Sequence, residues 1–402
     1  MSHRRTAGLI SLAVAARVAY WLATIDYAPN SDAFDYHLIA GNVAKGNGIA
    51  NVFPQFEVHA TAFRPPLFPS ALGVIYRVFG DHVGVGRLTN LVIGVFVVLL
   101  VERLVSRVGG SRSGLAAAAL VAIYPPLVVN DVSILTESLS LLLLLLIVLA
   151  LSEGRWQLAA VETGLLALTR NSAQLFIVVA AFAVVWWFGY RRALGFVGIA
   201  TLVLVPWVVR NQVQLGGAVL TTSNGFNLNA TYSEEAHASD GFVDAVFDRR
   251  FERYGFARFD EIAWDHQLRE HGLVGLRNHP GDVFRVSQRN AQAFFELDPH
   301  KNDTAEALDG RDPTIRQWAL PAFYVVSVTG LLGLWRARRH RATVLLMAAA
   351  AYFSLASIVS IAPPRLRAPF DLACCIGVGL LVGQLFGSAG AGPRRSRSVS
   401  SA

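Results

Sequence analysis

Charge is scarce in this chain. Asp, Glu, Lys and Arg make up 16% of its 402 residues, where a soluble surface takes about 25%. That shortage excludes an ordinary water-soluble domain. What replaces charge is 53% hydrophobic residues and a mean hydropathy of +0.44, so lipid is the solvent for most of the chain. Cysteine is nearly missing as well. Cys374 and Cys375 are neighbours in an apolar stretch, which excludes a disulfide framework and a C-x-x-C metal site and leaves two small packing residues. No Walker-type phosphate loop, internal repeat or inverted symmetry is visible.

The charge that is present is sorted by region. Asn211 to Arg316 holds 17 acidic and 11 basic residues, while the remainder of the chain holds 11 acidic and 24 basic. The basic residues sit in short clusters beside apolar runs, which is the pattern of cytoplasmic loops and excludes nucleic-acid binding. A span takes roughly 20 apolar residues. Candidate spans are Ala7–Ile25, Leu88–Leu104, Gly114–Val129, Leu139–Leu151, Leu158–Leu168, Leu175–Phe188, Leu194–Val209, Ala319–Leu334, Val344–Ile361 and Leu372–Phe386. Placing Pro66–Gly80 as a juxtamembrane or re-entrant helix keeps Arg103, Arg107 and Arg112 inside. The fold expected is therefore an all-α polytopic membrane protein of about ten transmembrane helices, both termini cytoplasmic. Its parts are an N-terminal transmembrane module (1–210) containing the first external loop (26–87), an external segment (211–316), C-terminal transmembrane helices (317–388) and a basic, disordered tail (389–402). Within the external segment, Ile262, Leu268 and Leu273, then Val283, Val286 and Phe294, predict amphipathic helices broken at Pro280.

The first external loop opens with Ser31-Asp32-Ala33-Phe34-Asp35-Tyr36. Asp32 and Asp35 would share one helix face, just above the membrane, where a carboxylate can take a proton from a hydroxyl acceptor. The same residues also read as a helix start, with Ser31 or Asp32 as the cap.

This stretch, with Ala40 and Gly46-Asn47-Gly48 beyond it, resembles the first-loop signature of GT-C glycosyltransferases, in the bacterial branch akin to protein O-mannosyltransferases and aminoarabinose transferases. Further elements follow in the family's order: Arg64-Pro65-Pro66-Leu67, Tyr124-Pro125-Pro126, Thr136-Glu137, Ala167-Leu168-Thr169-Arg170, Pro206-Trp207-Val208-Val209-Arg210-Asn211, Asn224-Gly225-Phe226-Asn227-Leu228, and Arg365-Leu366-Arg367-Ala368-Pro369. The likeness runs from about Asp32 to Pro369.

The resemblance implies transfer of a sugar from a polyprenyl-phosphate donor to a lipid, glycan or protein acceptor, with inversion, on the outer face of a bacterial cytoplasmic membrane. Asp32 is implied as the general base and Asp35 as a second catalytic carboxylate. Arg64, Arg170, Arg210 and Arg367 fall at the outer membrane boundary, where the positive-inside rule disfavours them, and are expected to hold the donor phosphate. Tyr36, Glu137, Asn224 and Arg365 are expected to contact substrate. Two departures stand out. Ala33 replaces the acidic residue that many relatives carry after the catalytic Asp, and Phe63 replaces a Glu that serves a metal in the aminoarabinose enzymes. No cofactor is expected, and a divalent metal lacks support from ligand spacing, including at Glu57, His59 and the external histidines. Glu162, mid-helix, reads equally as a structural hydrogen-bonding group or a pathway residue. A flippase or transporter of lipid-linked sugars, or a ligase for cell-envelope glycans, is the competing reading, since either would use the same arginines.

Overall fold

The computed structural model describes residues 3–50, 58–245, 260–309 and 311–387; among them the regular structure is helical, apart from one bridge between Ala50 and Ala60. Glu57 and the basic tail lie outside the described residues.

The chain begins with α1 (His3–Ala23) and then forms two shorter helices, α2 (Ser31–Lys45) and α3 (Leu67–Phe79). With 13 residues, α3 is about 20 Å long, short of the roughly 30 Å hydrocarbon core. The next helix, α4 (Val83–Gly109), is tied at its start to the end of α1: Arg87 Nη1 donates to the Thr24 carbonyl at 2.9 Å. The end of α1 and the start of α4 therefore lie together, with α2 and α3 in the loop between them.

From there the path alternates. α5 (Ser111–Ile123) and α6 (Pro125–Asp131) form one rising piece bent by 63° at Tyr124, where Pro125 cannot continue the ladder. Next come α7 (Glu137–Ser152), α8 (Trp156–Ala167), α9 (Phe176–Phe188) and α10 (Tyr190–Leu215). The segment expected to be external carries α11 (Ser223–Tyr232), α12 (Glu234–Ser239), α13 (Glu261–Asn278), α14 (Asp282–Phe294) and α15 (Asp303–Leu308). The α13–α14 break falls at Pro280, and Leu268, Val286 and Phe294 are buried there while Val283 is exposed. Three helices close the chain: α16 (Pro313–Arg336), α17 (Arg341–Ile358) and α18 (Ala368–Gly387).

Among the described residues, seven helical stretches are long and apolar enough to cross a membrane, and the bent α5–α6 pair makes an eighth if it is one span. The other two spans read from the sequence correspond to α7 and α8, which with 16 and 12 residues fall short of that length, as α3 does. Large apolar side chains such as Phe182, Leu202 and Val328 stay more than two-thirds exposed, as a lipid-facing surface requires.

Lipid offers little drive for helices to associate, so small residues do the packing. A Cβ on Gly333 of α16 would lie 1.9 Å from the Gly377 carbonyl oxygen of α18, and one on Gly330 would lie 2.3 Å from that of Cys374. The buried Arg17 of α1 meets Asp131 of α6 at 2.5 Å, and its remaining donors reach the carbonyls of Ala13 and Ala122. This satisfied pair pins the N-terminal helix to the α5–α6 bend.

Candidate active site

α2 starts at Asn30, whose side chain accepts from the Ser31 N–H at 2.8 Å. The cap is thus Asn30, and the Asp32 side chain is left for other partners. Ser31 sits at φ 48°, a left-handed conformation costing about 1 kcal/mol for a non-glycine residue, and the helix it opens carries Asp32 and Asp35 on one face. Gly46, at φ 88°, ends the helix with its N–H on the carbonyls of Asn42 and Val43. The other face of α2 packs on α3: Tyr36 meets Phe68 edge to face at 5.4 Å, and Gly73 leaves room for Val43.

The returning strand of the loop is fixed from several directions. Arg210 Nη1 donates to the Thr61 carbonyl at 2.8 Å and its Nη2 to that of Ile49 at 2.6 Å. Glu261 accepts from the Ala62 N–H at 2.8 Å, and Leu67 N–H donates to the Leu168 carbonyl at 2.9 Å. Arg64 is held in that strand with its guanidinium under α2. Its Nη2 lies 2.5 Å from Asp32 Oδ1, and its Nε and Nη2 lie 2.9 and 2.7 Å from Asp35 Oδ2.

The second cation of the recess is Arg365, in the 3-10 turn Pro364–Arg367 between α17 and α18. One of its nitrogens bonds Asp32 closely, Nη1 lies 3.1 Å from Glu137 at the start of α7, and Nε lies 2.7 Å from Asp309, which follows α15. Arg170, between α8 and α9, is buried against the Phe353 ring, and among the described residues neither its Nη1 nor the buried Glu137 Oε2 has a hydrogen-bond partner. Asp32, Asp35, Tyr36, Glu137, Arg64 and Arg365 thus form one cluster, with Arg170 at its margin.

The other expected site residues lie elsewhere. Arg210 braces the loop strand as described. Arg367 is turned away from the recess: its Nη1 donates to the Phe294 carbonyl at 2.7 Å and lies 3.1 Å from Glu296, its Nε lies 3.3 Å from Asp371, and the Phe323 ring covers it at 3.7 Å. Asn224, exposed in the first turn of α11, takes no part in the hydrogen bonds of the cluster among the described residues. Asp309 was missed. Its sole signal was a place in the dense charge run Asp309–Asp312, which does not distinguish an inward carboxylate from a solvated one. Among the described residues, no three His, Cys, Asp or Glu side chains are grouped to hold a metal ion.

The two carboxylates of α2 behave oppositely. Burial opposes the charge on Asp32, but Arg64 and Arg365 outweigh it and hold its carboxyl well below the usual carboxylate range. At Asp35 burial dominates, Arg64 offsets part of it and the charge of Asp32 adds to it, so the carboxyl is pushed up to about 6. Burial likewise pushes Asp309 up to about 6, against the pull of Arg365. Four carboxylates (Asp32, Asp35, Glu137, Asp309) face Arg64, Arg365 and Arg170, with Arg311 acting on Asp309 as well.

No protein-family model and no curated protein matches the chain. Among solved structures it superposes on the archaeal oligosaccharyltransferase AglB from Archaeoglobus fulgidus, in complex with an inhibitory peptide and a dolichol-phosphate, with a TM-score of 0.55 at 16% identity. The match covers 97% of this chain and 52% of that one. An Archaeoglobus fulgidus oligosaccharyltransferase in the apo form gives a TM-score of 0.56 at 14% identity, over 97% and 51% of the two chains. The chain has the GT-C fold. It spans about half the length of the oligosaccharyltransferase, so the likeness within the GT-C fold is one of architecture. ArnT from Cupriavidus metallidurans, bound to undecaprenyl phosphate, superposes at a TM-score of 0.39 and 16% identity over 95% of this chain and 79% of that one, too loosely to argue from. In the GT-C fold described here, the carboxylate–guanidinium recess lies where the first loop meets the ends of α7, α8 and α17.

Proposed function

We propose that the protein is a membrane glycosyltransferase that takes a sugar from a polyprenyl-phosphate donor and passes it, with inversion, to an acceptor hydroxyl on the outer face of a bacterial cytoplasmic membrane. The observation that carries this reading is Asp32, held between Arg64 and Arg365 beside the buried, unpartnered donor of Arg170. The AglB structure whose fold it shares was solved with a dolichol-phosphate, which agrees with a lipid-linked donor.

The chemistry follows from the arrangement. Cleavage of the sugar–oxygen bond leaves charge on the lipid phosphate and positive character on the sugar ring. Arg170 and Arg365 are placed to receive the phosphate, since a guanidinium fork matches two phosphate oxygens. Asp32 takes the acceptor proton as its oxygen attacks the anomeric carbon. In the empty site Asp32 is a weak base, because two guanidiniums satisfy it. A phosphate that draws those donors toward itself removes that bias, so the base strengthens when donor is present. Arg210 acts indirectly, by fixing the strand that carries Arg64.

The test is transfer of radiolabel from a polyprenyl-phosphate sugar in vesicles carrying the Asp32→Asn protein. Transfer is expected to vanish while donor binding is largely kept. Undiminished transfer would remove Asp32 as the base; loss of translocation rather than of transfer would favour a flippase.

A further inference from the structure

Arg365 has five N–H donors, and three carboxylates from three parts of the chain occupy its fork: Asp32 from α2, Glu137 from α7 and Asp309 from the segment after α15. A donor phosphate reaching Arg365 competes with these three for its guanidinium, and Asp309 is the one held without a hydrogen bond: among the described residues the Nε that faces it makes none, whereas Asp32 and Glu137 each accept one. Asp32 and Glu137 stand in the first turns of α2 and α7, helices of 15 and 16 residues. Asp309 follows α15, a helix of 6 residues, and among the described residues its side chain is tied to the recess by the Arg365 ion pair.

We propose that Asp309 is a placeholder for the donor phosphate: it occupies Arg365 in the empty enzyme and is displaced when the phosphate binds. This rests on the reading of the recess as a polyprenyl-phosphate site. It makes Asp309 a positioning residue that sets donor affinity, and it couples donor binding to loosening of α15 at its Asp309 end. The groups acting on Asp309 are Arg365, Asp32, Arg311, Glu137 and Tyr27. Its burial-raised carboxyl makes displacement easier in mild acid, where a protonated Asp309 holds Arg365 weakly.

The experiment measures binding of undecaprenyl phosphate to the full-length protein in detergent. If about one molecule in ten has Asp309 off Arg365, Asp309→Asn binds about tenfold more tightly than wild type at pH 7.5. Asp309→Glu, which keeps the charge, binds like wild type. The ratio between wild type and Asp309→Asn narrows as the pH falls through about 6; taking the ratio cancels titration of the ligand itself. Equal affinities at pH 7.5 with wild-type binding intact would overturn the placeholder and leave the donor-site reading standing. Absence of binding in both proteins would overturn the donor-site reading, and the placeholder with it. Hydrogen exchange in the wild type needs no variant: amides of Asp303–Asp309 are expected to exchange faster once undecaprenyl phosphate is added, and unchanged or slower exchange would overturn the placeholder.

Discussion

Arg365 and Arg367 stand two residues apart in one short turn, belong to one sequence element, and do different things. Arg365 faces the recess, where it meets Asp32, whose side chain is 21% exposed, and its partners are carboxylates borne by separate elements. Arg367 is 2% exposed and is enclosed by a backbone carbonyl, Glu296, Asp371 and an aromatic face. The first guanidinium meets carboxylates from three elements at a partly open recess; the second is closed in by its partners. In a 3-10 turn, residues two apart point to different sides, so one motif serves both the carboxylate recess and a structural joint between α14, α16 and α18.

The comparison can be broken in several ways. The largest effect belongs to the recess: Asp32→Asn should lower sugar transfer by about a thousandfold or more, the range of general base catalysis, with donor binding largely kept. Next comes the joint. Arg367→Ala leaves buried Asp371 with the Tyr124 hydroxyl alone and Glu296 with Arg316 alone, and should cost about 3 kcal/mol of stability, read as a fall in melting temperature, with polyprenyl phosphate affinity unchanged in the folded fraction. A large loss of affinity would place Arg367 in the donor site after all. Arg365→Lys keeps the charge but loses the fork, and should weaken polyprenyl phosphate binding by about ten- to a hundredfold with little change in melting temperature.

The smallest effect concerns the two carboxylates of α2, whose signs differ. Asp35 titrates at about 6 in the folded protein, above its unfolded value of 3.8, so folding retains a proton that the unfolded chain releases. Its contribution to stability is therefore present below about pH 4 and lost as the pH rises to about 6. The difference in melting temperature between wild type and Asp35→Asn should shift against wild type across that window. Asp32, held low by its arginines, contributes in the opposite sense: its stabilisation is present above its unfolded value and lost in acid. A flat difference for Asp35→Asn would remove the burial argument at that position.

Much of the site was legible because its residues come from short motifs at the ends of apolar runs. Asp32 and Glu137 stand in first helical turns, and Arg64, Arg170 and Arg365 lie in the segments between helices, all at one end of the bundle, the end that the charge-segregation rule picks out in the sequence. The partition of the arginines was not legible. Nothing in Pro206-Trp207-Val208-Val209-Arg210-Asn211 indicates that Arg210 bonds the carbonyls of Ile49 and Thr61, residues more than a hundred positions away. Nor does Asp309 announce itself, because a carboxylate in an acidic segment looks solvated until α15 turns it inward.

By itself the sequence determined the solvent, the helical architecture and the end of the bundle where charge would gather, since hydropathy and helix periodicity are local properties. The tertiary structure decided which cations share a recess with Asp32, that Asn30 rather than Ser31 or Asp32 caps α2, and that Asp309 reaches Arg365. Those outcomes depend on distances between segments far apart in the chain, and a few ångströms settle whether a guanidinium meets a carboxylate, a carbonyl or a ring.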